Sequence, residues 1–175
     1  RTGCDFKMED IYPFGISPLN EKITALSGAK SGRWIGIAPF AQHRGKMYPI
    51  DRVEEVVRIL SQQEGVKMFV FGGGATERTV AEGFEQRYHN CTSVVGKLSL
   101  AEELDLISNL DCMFSMDSSA MHMASLSGVR VVSVWGATHP FAGFLGYRQK
   151  MADAVQRDLD CRPCSVYGNK PCYKG

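Results

Sequence analysis

The sequence lacks any apolar run long enough to span a bilayer; its hydrophobic stretches are short, such as Val131 to Trp135. It also lacks an excess of charge of either sign. A formal net charge of +1 over 175 residues gives no global push toward nucleic acid or an anionic membrane. There is no GxGxxG and no GxxxxGK[ST], which argues against a dinucleotide-dependent dehydrogenase and against a P-loop enzyme. No serine sits in a GxSxG elbow, so a hydrolase built from the available Ser, His and Asp residues is disfavoured. No charged-then-apolar leader opens the chain, and Arg1 to Cys4 reads like the interior of a longer polypeptide.

What is present is the composition of one globular domain, 44% hydrophobic and 22% charged. Residues 1–32 read as an irregular entry segment, broken by Pro13, Gly15, Pro18, Gly28 and Gly32, with Ser27 to Gly32 as a linker. From Trp34 onward strands and helices alternate. Short strands are predicted at Trp34 to Pro39, Lys67 to Phe71, Thr92 to Val95, Cys112 to Met116 and Arg130 to Trp135. Between them lie helices at Asp51 to Gln63, with Val53, Val56, Val57 and Leu60 on one face, and at Thr76 to Tyr88. A third helix follows the capping box of Ser99 and Glu102, and a fourth runs from Asp117 or Ser118 to Ser127. The strands are apolar throughout, as in a sheet with helices on both faces. The fold expected is a doubly wound parallel α/β sheet, Rossmann-like, over residues 33–148, with a cysteine-containing tail at 149–175.

In such sheets ligands sit at the carboxyl ends of the strands, which nominates four loops. The first, Phe40 to Tyr48, places His43, Arg44 and Lys46 before a helix, a natural diphosphate site or else a solvated basic loop. In the second, Gly72 to Glu77, glycines such as Gly73 allow close approach of a ligand. Glu77 there can accept from ribose hydroxyls or merely complement its own helix. The third, Asp117 to His122, offers N–H groups and the hydroxyls of Ser118 and Ser119 to phosphate, with His122 one turn on as a ligand contact or a structural histidine. The fourth, Gly136 to Gly146, either lines the cleft or meets an acceptor through Thr138 and His139, while Phe141 and Phe144 can simply pack the sheet end. In the tail, Cys161-Arg162-Pro163-Cys164 and Cys172 hint at zinc, but a closed structural site wants four ligands, so free thiols are the simpler reading. Nothing points to secretion, and a disulfide framework is not expected.

Taken in order, Lys46-Met47-Tyr48-Pro49, Gly73 to Glu77, Leu98 to Glu102, Asp117 to His122 and Gly136-Ala137-Thr138-His139-Pro140 resemble motifs of glycosyltransferase family nine, the ADP-heptose:lipopolysaccharide heptosyltransferases. The resemblance covers Arg33 to about Gly146, and the tail is similar to a variant in relatives from the Bacteroides lineage. It implies the carboxy-terminal, donor-binding half of a GT-B enzyme. It also implies roles: Lys46 on donor phosphate, Glu77 on the ribose, Leu98 beside the adenine, and Asp117, Ser118, Ser119 and His122 around the diphosphate. Ser119 stands where the family usually has glycine, and a side chain there narrows the pyrophosphate pocket or alters the sugar preference.

The same resemblance implies an inverting transfer from ADP-heptose to a lipopolysaccharide core or other lipid-linked acceptor, with no cofactor or metal required and no nucleic-acid partner. The catalytic base would lie in an amino-terminal domain absent from this chain, leaving the fragment inactive alone. The expected location is cytoplasmic, peripheral to the inner membrane, with Lys150, Arg157, Arg162, Lys170 and Lys174 as a solvated positive surface or a contact for anionic lipid. Two alternatives stay open: another GT-B-like nucleotide-sugar enzyme, such as a UDP-sugar epimerase, and a non-enzymatic α/β scaffold with a zinc-binding tail.

Overall fold

A computed structural model of the chain describes residues 12–142 and 144–172. Expectations attached to Arg1, Cys4, Gly143 and Lys174 fall outside these. Six strands form one parallel sheet: β1 (Arg33–Ala38), β2 (Val66–Val70), β3 (Cys91–Ser93), β4 (Cys112–Met116), β5 (Val131–Trp135) and β6 (Ala154–Gln156). Their order across the sheet is β3-β2-β1-β4-β5-β6, and every pairing is parallel. The chain therefore reverses its winding between β1 and β4, the crevice where doubly wound sheets bind ligands.

The helices are α1 (Glu21–Ser27), α2 (Ile50–Ser61), α3 (Ala75–Arg87), α4 (Leu100–Ser108) and α5 (Ser119–Leu126). They divide between two cores. On one face Ile23, Leu106, Ile107, Met121 and Ala124 meet Trp34, Phe69 and Met113. On the other, Val53, Val57, Ala81 and Phe84 cover Ile37, Met68 and Val70. Trp34 and Phe69 meet edge to face at 4.9 Å, both fully buried, and each such side chain stabilises the fold by about 1.5–3 kcal/mol.

Local signals set the helix ends that matter for the site. The Ser99–Glu102 capping box forms in full and starts α4 at the rim. Gly74, at φ 84°, turns the chain from β2 into α3. Two expectations need correction. The entry segment is not wholly irregular: Asn20 caps α1 by accepting from the Ile23 N–H at 2.8 Å, and Ile23 is fully buried. The pattern also does not end at Gly146, because β6 adds to the sheet beside β5.

Candidate functional site

The loop after β1 makes one 3-10 turn at Arg44–Lys46 and turns Lys46 toward the crevice. Its Nζ lies 2.9 Å from Oδ2 of Asp117, the residue that follows β4. The Thr138 hydroxyl donates to the same Oδ2 at 2.9 Å. Asp117 retains only 3% side-chain exposure and Lys46 16%. A carboxylate this buried persists because partners replace its water. An ammonium has three N–H donors, so the pair leaves Lys46 others for an anion. The Phe144 ring centre lies 5.7 Å from Nζ and shields the pair from one side.

Around this pair opens a cleft of about 740 Å³, the size of a small-molecule site. It gathers most of the residues nominated from sequence: Lys46, Gly73, Glu77, Asp117, Ser118, Ser119 and His122 all line it. Gly73 has open space where a side chain would stand, whereas at Gly72 a Cβ would press on Phe40 and Glu77. Glu77 Oε2 accepts from the Gly73 N–H at 2.6 Å, so the carboxylate holds its own loop while still facing the cleft. Ser118 is the N-cap of α5 but makes no side-chain capping bond; its hydroxyl lies 3.2 Å from that of Ser115. The first-turn N–H groups of α5 thus begin at the cleft wall beside Lys46.

Three nominated residues fall outside the lining. Leu98 packs on the core, and α4 instead presents Leu100 and Glu103 to the cleft, because the capped helix begins only at Leu100. Thr138 is fully buried and acts through Asp117. His139 turns to its own loop, where Nδ1 accepts from the Phe141 N–H at 3.1 Å and the two rings meet tilted at 41°, their centres 4.6 Å apart. Asp117 itself is spent on Lys46 and Thr138, so it orients the cation more than it meets solvent.

The tail supplies what sequence reading missed. Arg162 donates through Nε to the Gly136 carbonyl at 2.5 Å, through Nη2 to the Thr138 carbonyl at 2.7 Å, and through Nη1 to the Arg157 carbonyl. The Cys164 N–H donates to Ala137 O at 2.9 Å. Gly168 is buried against the Lys46 stem, which a side chain there would displace. The tail thus clamps both the Gly136 and the Lys46 loops. Cys161, Cys164 and Cys172 are free thiols. Burial, then the neighbouring Cys161 and Cys172, pushes the Cys164 thiol up. Among the described residues no three or more His, Cys, Asp and Glu side chains come together as a metal-holding group.

The profile of Glycosyltransferase family 9 (heptosyltransferase) matches residues 5–172. Lipooligosaccharide heptosyltransferase 2 of Haemophilus influenzae is 30% identical over 126 residues, covering 69% of this chain and 35% of that protein. Among solved structures, the E. coli ADP-heptose lps heptosyltransferase II superposes with a TM-score of 0.65 at 21% identity, over 81% of this chain and 43% of that one. The E. coli heptosyltransferase WaaC with ADP gives 0.61 at 17% identity, over 73% and 38%. The chain therefore spans 35–43% of the length of these relatives. With its parallel α/β fold and this match over nearly its whole length, the chain belongs to glycosyltransferase family 9, the heptosyltransferase family.

Proposed function

We propose that this domain holds the donor, an ADP-heptose, of a heptosyltransferase that acts on a lipopolysaccharide core acceptor. The observation that carries the reading is the Lys46–Asp117 pair at the sheet's switch point, beside the open first turn of α5. A cation held there by a buried carboxylate, with helix N–H groups and the Ser118 and Ser119 hydroxyls, is suited to a diphosphate. His122 stands exposed one turn into α5 at the same wall. The second carboxylate oxygen of Glu77 is left for ribose hydroxyls. When the glycosidic bond breaks, the same groups stabilise the charge that gathers on the departing nucleotide, and no metal is required for that step. Two structural neighbours, one a heptosyltransferase solved with ADP and one an ADP-heptose lps heptosyltransferase, support this choice of nucleotide.

The acceptor site and the base that deprotonates the acceptor belong, in this reading, to a preceding domain, consistent with the chain's spanning 35–43% of its relatives. The chain alone then binds donor without turning it over, and the whole enzyme works in the cytoplasm beside the inner membrane. The test is a calorimetric and thermal titration of the chain with ADP and with UDP. ADP at a hundred times its Kd should add about 2.7 kcal/mol of stability, and UDP far less. Preference for UDP would favour the epimerase-type alternative, and silence toward both would end the donor-site reading. Measurable sugar transfer by the isolated chain would show that the base lies within it.

A further inference from the structure

Three segments distant in sequence meet behind the cleft at glycines. At Gly45, on the loop after β1, a Cβ would stand 2.8 Å from the Gly168 carbonyl oxygen and 3.1 Å from Cβ of Ala137. At Gly136, on the loop after β5, a Cβ would press into the Gly45 carbonyl. That carbonyl accepts from the Ala137 N–H at 2.7 Å. At Gly168, in the tail, a Cβ would lie 2.8 Å from Cγ and 3.4 Å from Cε of Lys46, and 3.2 Å from the Thr138 methyl. Gly168 is buried and has φ 70°, a backbone shape that glycine adopts without steric cost. One bare Cα therefore backs both side chains that hold Asp117 Oδ2, the Lys46 ammonium and the Thr138 hydroxyl.

Resting on the donor-site reading above, we infer that Gly168 is a positioning residue for the donor's diphosphate, the backstop that sets where the Lys46 ammonium points. A lysine stem is flexible, and a ligand that needs its ammonium in one place must otherwise freeze it on binding. Contact along Cγ and Cε restricts the stem before the ligand arrives. The stem is also a lever. Its root is fixed in the 3-10 turn, so a small displacement at Cγ moves Nζ further, away from Asp117 and from the anion. The tail holds the backstop still through the Arg162 fork and the Cys164 N–H on the Gly136 loop. The Tyr167 ring adds a contact, 6.0 Å from the Phe144 ring that shields Lys46. The tail thus takes part in the donor site although no described residue after Phe144 lines the cleft.

The experiment is calorimetric titration of ADP into the full chain and its variants, with a thermal melt of each. Gly168→Ala should weaken ADP about tenfold or more, the scale of a misplaced charge-assisted contact. Two controls separate the contact from backbone strain. Gly28 has φ 69° and open space around it, so Gly28→Ala carries similar strain away from the cleft and should change ADP affinity about twofold or less. Asparagine tolerates this backbone shape better than alanine but still brings a Cβ, so Gly168→Asn should bind ADP no better than Gly168→Ala. The decisive comparison is the double variant. Lys46→Ala removes the Cγ that a Cβ at 168 would strike, so adding Gly168→Ala to it should weaken ADP by no more than about twofold further. Unchanged ADP affinity in Gly168→Ala, recovery in Gly168→Asn, or the same loss with and without Lys46 overturns the assignment. A native chain that binds no ADP removes the donor site itself, and this inference with it.

Discussion

Lys46 and Asp117 meet across the gap between β1 and β4, Nζ to Oδ2 at 2.9 Å, one residue carried by a loop and the other by a strand end. The pair is asymmetric. Lys46 keeps a path to solvent, while Asp117 has almost none. Removing the lysine strands a buried charge; removing the charge on Asp117 does not strand the lysine. Lys46→Met should therefore destabilise the chain by about 3 kcal/mol or more. Asp117→Asn, which still accepts from Thr138, should cost only about 1–2 kcal/mol. Urea unfolding of the two variants decides it, and the opposite order would mean that Asp117 is better hydrated than its burial implies.

Arg162 fixes two carbonyls of the Gly136 loop with a planar fork, and Thr138 passes that placement to Asp117. Arg162→Ala should lower stability by about 2 kcal/mol. It should also weaken ADP several-fold while leaving adenosine unaffected, since only the cation's aim is lost. Lysine lacks the fork, so Arg162→Lys should rescue little. Full rescue by lysine would reduce the role to charge alone.

Acid stability should depend on the start of α4. The Lys22 ammonium, with the Ser99 N–H, holds the Glu102 carboxyl down at about 2 from an ordinary 4.5. Because the folded value is depressed, this stabilisation is complete above pH 4.5 and drains away as pH falls toward 2. Glu102→Gln should lower stability at neutral pH and flatten that part of the pH profile. An unchanged slope over the window would show that the carboxylate contributes nothing beyond its amide.

Thiol labelling should follow burial. Cys172 is exposed and should react first, with Cys161 and Cys164 behind it. Burial pushes the Cys91 thiol up to about 12, so it should stay unlabelled until the chain unfolds. Mass spectrometry after brief alkylation reads the order, and early labelling of Cys91 would contradict the packing of β3.

How much of this the sequence discloses depends on range. The Ser99–Glu102 box and the apolar strands are local patterns, and they stand where expected. The motifs at Lys46, Glu77 and Asp117 to His122 also converge as the strand-end rule requires. What stays hidden is contact between distant residues. Nothing in the sequence says that Asp117 accepts from Thr138, or that Arg162 reaches back to Gly136. The three-residue β6 is too short for periodicity to reveal and forms only because β5 is already there. Leu98 packs against the core while Leu100 lines the cleft, and which leucine faces it depends on where the cap starts the helix, a detail that spacing alone does not give.

The most direct measurement is calorimetric titration of ADP, with adenosine as second ligand, into the native chain, Lys46→Ala and Asp117→Ala. The account predicts that ADP affinity drops about tenfold or more in both variants, the scale of a lost charge-assisted contact to phosphate, while adenosine affinity holds. Equal ADP affinity in all three proteins would contradict it.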